Sequence, residues 1–89
     1  MTDFPAITIG SYKQIAWATE IRANVFAAIE AARSAKGITW TQAQADALAK
    51  LAAVDIAAYW IDARDKGEVA VTYWLGQAQY LAQGGKLSY

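Results

Sequence analysis

Apolar residues recur every three or four positions along the first third of the chain, as they do on one face of an α-helix. Ser11 and Gln14 stand at the positions of a capping box before this stripe, and Gly37 after it favours a left-handed helix end. The pattern therefore predicts a helix over residues 11–36. The stripe comprises Gln14, Trp17, Ala18, Ile21, Val25, Ala28, Ile29 and Ala32.

A second helix is predicted over residues 42–66, ending before Gly67. Either Thr39 or Thr41 can cap it, since each precedes a glutamine by three positions. The middle of this segment is apolar around most of its circumference, which indicates a helix packed on more than one side. We therefore expect the second helix to be the central element of the fold.

The third segment carries mixed signals. Residues 69–74 contain the β-branched and aromatic side chains that are typical of a strand. Val69, Tyr73, Gln77 and Tyr80 nevertheless lie at helical spacing, and a lone strand would have no partner except the Ile7 region. We predict a third helix over residues 68–83.

These elements predict an all-α fold: one small three-helix domain over residues 1–89 with an irregular N-terminal arm over residues 1–10. Eight basic residues balance eight acidic ones, so the chain lacks the cationic surface on which sequence-independent nucleic-acid binding depends. The apolar runs are too short or too interrupted to cross a bilayer, and no signal peptide is recognised. We therefore expect a cytoplasmic protein that does not enter a membrane.

Composition also limits the chemistry. The chain has neither cysteine nor histidine, which excludes disulfides and the usual zinc and iron ligands. Asp62, Asp65 and Glu68 could in principle hold a hard cation, but Arg64 and Lys66 lie between them, which favours a solvated helix end. The serines lie in no nucleophile motif. We expect a protein that is not an enzyme and that needs neither a metal nor another cofactor.

Asp55 interrupts the most apolar part of the chain. A buried carboxylate is costly unless it is paired, so we expect Arg22 to be its ion-pair partner and Tyr59 to donate a hydrogen bond to it. Asp55 as a general acid or base with a raised pKa is the weaker alternative, since no companion nucleophile or histidine is present.

Two segments resemble a paired motif of small bacterial, phage and mobile-element proteins, most of them without an assigned activity. Residues 13–22 (KQIAWATEIR) resemble KQIxWAxxIR, and residues 59–65 (YWIDARD) resemble WWIDxRD with Tyr59 in place of the first tryptophan. The physical interpretation is a packed helix pair, with Trp17 and Trp60 in the core and Asp62 bridged to Arg22 or Lys13. A shared ligand site is the weaker alternative.

The resemblance and the absence of catalytic motifs favour a protein-interaction module. Its concrete form is an inhibitor that binds a host defence complex, as an anti-CRISPR protein does. Exposed aromatic and basic residues are the usual anchors of such contacts. The candidates for contact with the partner are Trp40, Tyr73, Trp74, Tyr80, Arg33 and Lys36.

Two other functions remain open. Lys13, Arg22, Arg33 and Lys36 lie on the first predicted helix, and together with stacking aromatic side chains they could serve a nucleic-acid-binding accessory factor. The zero net charge offers little repulsion between copies, which is compatible with a homodimer or a self-associating structural protein.

Overall fold

The computed structural model describes residues 4–63 and 71–87, and within these ranges the chain forms four α-helices. They are α1 (Tyr12–Lys36), α2 (Gln42–Ala52), α3 (Ala57–Asp62) and α4 (Val71–Ala82). The predicted all-α fold is confirmed, with four helices in place of three.

Local signals fix the first helix, as the sequence predicted. The Ser11 hydroxyl accepts a hydrogen bond from the backbone N–H of Gln14 at 3.2 Å, and the Gln14 side chain accepts one from the Ser11 N–H at 2.9 Å. At the other end Gly37 adopts φ 64°, in the left-handed region. Helix α1 therefore begins and ends where its caps place it.

Thr41, and not Thr39, caps the second helix. Its hydroxyl accepts a hydrogen bond from the Gln44 N–H at 3.1 Å, while the Gln44 side chain accepts one from the Thr41 N–H at 2.9 Å. This second capping box settles the choice that the sequence left open.

The predicted helix over residues 42–66 is wrong in its middle, because the chain leaves the helix after Ala52 and resumes it at Ala57. The Asp55 carbonyl accepts hydrogen bonds from the N–H groups of Thr8 and Ile9, both at 3.0 Å. The Ala57 N–H donates to the Ile9 carbonyl at 2.8 Å. These bonds to the N-terminal arm replace bonds that a continuous helix would make. Residues 64–66 of the prediction lie outside the described ranges.

The arm is extended and held in place over its second half. Ile9 and Ile56 form an isolated parallel bridge, and the Ile7 side chain is buried. Gly10 follows with φ 144°, and a Cβ there would lie 2.8 Å from the Ala57 Cβ. Only glycine permits both this conformation and this close approach.

The helices pack in two pairs, with α1 against α3 and α2 against α4. The rings of Trp60 and Trp74 stack at the centre, 5.4 Å apart and inclined by 22°. The Trp60 Nε1–H donates to the Val54 carbonyl at 3.1 Å. Helix α4 confirms the helical interpretation of the third segment over Val71–Ala82; residues 68–70 of that prediction are outside the described part of the chain.

Candidate functional site

An apolar groove of about 690 Å³ runs between α1 and α2. It is open because these two helices pack mainly on other helices, and because alanines with short side chains form much of both walls. Phe4 of the arm and Trp40 of the loop between the helices also line it. The walls comprise Ala23, Phe26, Ala27, Ile29 and Glu30 on α1, and Ala45, Leu48, Ala49 and Ala52 on α2.

A second, smaller groove of about 350 Å³ lies between α2 and α4. Its lining includes Ala43, Leu75 and Gln79, and it shares Trp40 and Leu48 with the first groove. Trp40 is half-buried and lies where the two grooves meet. Of the six predicted contact residues, Trp40 lines both of these grooves and the other five line neither.

Arg22 lies behind one end of the larger groove and is only 3% exposed. Its Nη1 donates a hydrogen bond to the Ala52 carbonyl at 2.9 Å, at the last residue of α2. Its Cζ lies 5.0 Å from the centre of the Phe4 ring, and that ring lies 5.1 Å from the Phe26 ring. The Nε–H of Arg22 is buried and has no hydrogen-bond partner. Burial lowers the pKa of this guanidinium.

The predicted interaction of Arg22, Asp55 and Tyr59 is wrong. Asp55 is half-buried and accepts a hydrogen bond from the Thr8 hydroxyl at 3.2 Å. The buried Tyr59 hydroxyl donates to the Gln77 side chain at 2.9 Å. Asp55 lies in the interhelix segment that pairs with the arm, and no ion pair joins it to Arg22.

Two tryptophans exchange the places that the sequence predicted for them. Trp74, predicted to contact a partner, is 0% exposed and stacks on Trp60 in the core. Trp17, predicted to pack with Trp60 in the core, is 47% exposed. Trp74 is therefore withdrawn as a contact residue, and the Trp17–Trp60 core pair is corrected.

The two predicted tyrosines differ in their surroundings. Tyr73 is half-buried and meets Trp74 edge to face, with ring centres 5.1 Å apart. Tyr80 is 48% exposed, and its hydroxyl donates to the Lys86 carbonyl at 3.0 Å and accepts from the Lys86 N–H at 3.2 Å. Tyr80 therefore holds the C-terminal segment against α4 while part of its ring stays in solvent.

The two predicted basic contact residues, Arg33 and Lys36, also differ in their surroundings. Arg33 forms an ion pair with Glu30 and donates to the Ile38 carbonyl at 2.8 Å, so it braces the loop after α1. The hydrogen bond from Arg33 lowers the pKa of Glu30, and the same bond raises the pKa of Arg33. Lys36 is exposed at the end of α1.

Sequence reasoning missed most of the groove, namely Phe4, Phe26, Leu48 and the alanines. A signal was present: Ala23 and Ala27 on α1, and Ala45 and Ala49 on α2, are each spaced by four and form a stripe on one helix face. The signal is ambiguous, because alanine favours a helix whichever way it faces.

No group of three or more acidic side chains in residues 4–63 and 71–87 could hold a metal ion. The predicted mixed-charge helix end includes Asp65 and Glu68, which lie outside these ranges. No helix within the described residues is long and apolar enough to cross a membrane. Comparison with known proteins found no matching family model, no matching curated protein and no matching solved structure.

Proposed function

We propose that this chain is a non-enzymatic interaction module that binds an amphipathic helix of a protein partner in the groove between α1 and α2. The observation that supports the proposal is the open apolar groove itself. Recognition of a helix in such a groove relies on apolar anchors at spacings of three and four residues. The exposed alanine walls allow the partner's backbone to approach closely.

The dimensions of the groove fit this mode of binding. The residues of α2 that line the groove run from Ala45 to Ala52, which is about 10 Å at about 1.5 Å per residue. A partner helix would therefore lie along the groove over about two turns, between Phe4 and Trp40. Aromatic side chains are frequent anchors at protein interfaces, and Phe4, Phe26 and Trp40 surround the space that the partner would enter.

The biological form of the proposal is an inhibitor that acts in the cytoplasm by covering a surface of a host defence complex, for example a CRISPR complex. Its support is the resemblance to phage and mobile-element proteins. Nucleic-acid binding has less support, because Arg22 is buried and Arg33 is paired with Glu30, which leaves fewer free cations on α1.

Affinity capture from the native host with quantitative mass spectrometry tests the proposal when groove variants are included. Ala27 and Ala49 are exposed, so the double variant A27E/A49E places charge in the groove without disturbing the core. Ala31 is exposed on α1 outside the groove, so A31E is the matched control. We expect a partner that wild type and A31E retain and A27E/A49E loses. Absence of any enriched partner, or equal capture by all three proteins, would contradict the proposal.

The inhibitor form needs a separate assay. In cells with active CRISPR immunity, the wild-type chain should raise the plating efficiency of a targeted phage. A31E should do the same, and A27E/A49E should not. No change in plating efficiency with the wild-type chain would exclude this form for the system tested and leave the groove to another protein partner.

A further inference from the structure

Resting on the proposed function, we infer that the helix bound in the groove carries a carboxylate that pairs with Arg22. The site would thus select an amphipathic helix with one aspartate or glutamate at the end of its apolar face. Charge complementarity and the position of Arg22 carry this inference.

The charge of Arg22 is incompletely compensated. A guanidinium offers several N–H donors in a planar fork that matches a carboxylate. Here Nη1 bonds the Ala52 carbonyl, and the buried Nε–H has no partner. No acidic side chain within residues 4–63 and 71–87 forms an ion pair with Arg22. The α2 C-terminus and the face of the Phe4 ring offset part of the charge, but a carboxylate would offset far more.

Arg22 is also in the right place. Two residues that contact its guanidinium, Phe4 and Ala52, line the groove, so the guanidinium lies behind that end of the groove. The first backbone hydrogen bond between the arm and the interhelix segment is made by Thr8. Access of a carboxylate to Arg22 requires the Phe4 ring to move aside, and this movement need not break the pairing of the arm, because that pairing begins four residues further along the chain.

At the opposite end of the groove the same carboxylate would gain no such partner. Glu30 lines the groove there, about 12 Å along α1 from Arg22 at the ordinary helical rise. Glu30 forms an ion pair with Arg33, which leaves that arginine engaged. The charge pattern therefore favours an acidic residue of the bound helix next to Arg22.

Synthetic peptides test the inference. Each would have about 15 residues, enough for a marginal helix in water, with leucines at spacings of three and four. A glutamate is moved along the apolar face, and every peptide has a twin with glutamine at that position. Affinity is measured by calorimetry, and the NMR signal of the Arg22 Nε–H group reports the contact. The signals of Ala27 and Ala49 report occupation of the groove.

At one position we expect the glutamate peptide to bind about tenfold more tightly than its twin, as a charge-assisted hydrogen bond provides, and to shift the Arg22 Nε–H signal. Phe4→Ala should widen the difference in affinity between that peptide and its twin, because the competing ring is gone, and Arg22→Gln should abolish the difference. If Arg22→Gln does not fold, the affinities of the glutamate and glutamine twins for the wild-type protein, together with the Arg22 Nε–H signal, test the inference.

Two negative results differ in meaning. Equal binding of both twins at every position, with shifts at Ala27 and Ala49 but none at Arg22 Nε–H, would overturn the Arg22 inference and leave the groove proposal standing. Absence of shifts at Ala27 and Ala49 with every peptide would overturn both.

Discussion

Replacement of Trp74 by alanine should remove a large share of the protein's stability. Trp74 is fully buried and stacks on Trp60. Burial of an aromatic side chain removes about 150–250 Å² from water, and at about 25 cal/mol per Å² this corresponds to roughly 4–6 kcal/mol. Measured costs of Phe or Trp to Ala in cores are about 3–5 kcal/mol, which is the value we expect.

The matched control is the same substitution at Trp17. Because Trp17 is 47% exposed, about half of its area is buried, which corresponds to about 2–3 kcal/mol. No closed cavity forms, and the higher helix propensity of alanine offsets about 0.5 kcal/mol, so we expect a cost of about 2 kcal/mol. The total stability of a domain of 89 residues is about 4–13 kcal/mol. Trp74→Ala can therefore bring the protein close to unfolding, whereas Trp17→Ala cannot.

Urea denaturation followed by far-ultraviolet circular dichroism measures both variants, since the helical signal does not depend on the removed indole. The linear extrapolation gives the free energy of unfolding of each. Equal losses, or a larger loss for Trp17→Ala, would refute the assignment of Trp74 to the core and return it to the surface that the sequence predicted.

Three further predictions concern two glycines, the cap of α2 and the Glu30–Arg33 ion pair. Gly10→Ala should cost about 1–3 kcal/mol of stability, because an L residue is strained at this φ and its Cβ would lie too close to α3. Gly76→Ala lies in open space within α4 and should instead stabilise the protein by about 0.5–1 kcal/mol. The urea midpoints of the two variants should therefore move in opposite directions. Thr41→Ala should lower stability by about 1 kcal/mol through loss of the α2 cap, seen as a lower melting temperature, and an unchanged one would count against the capping box. Arg33 lowers the pKa of Glu30, so the ion pair stabilises the fold fully above the ordinary glutamate pKa of 4.5. This stabilisation is lost as the pH falls through the lowered pKa of the folded state. Glu30→Gln should therefore lose less stability than wild type on acidification, and an equal loss in both proteins would contradict this.

The features that the sequence predicted correctly depend on residues close together in the chain. Helix α1 was predicted within one residue because its capping box and Gly37 act within a few residues of each end. The break before α3 could not be predicted this way. It depends on hydrogen bonds from Thr8 and Ile9 to Asp55, which join segments more than 40 residues apart in the chain.

The error at Trp17 has a related cause. The buried face of α1 runs through Ala18, Arg22, Val25 and Ile29, and a neighbouring residue lies about 100° away around the helix. The spacing from Gln14 places Trp17 on the predicted stripe, and the charge of Arg22 predicts an acidic partner. Arg22 in fact bonds a helix-end carbonyl on α2, a partner that no side-chain pattern reveals.

Site-specific photo-crosslinking in the native host tests the central claim, that the groove between α1 and α2 is the binding surface. A photoreactive phenylalanine analogue would replace Ala49 in the groove or Ala31 outside it, both exposed positions. We expect a covalent adduct with one partner protein from position 49 and none from position 31. An adduct from position 31 without one from position 49, or no adduct from either, would contradict it.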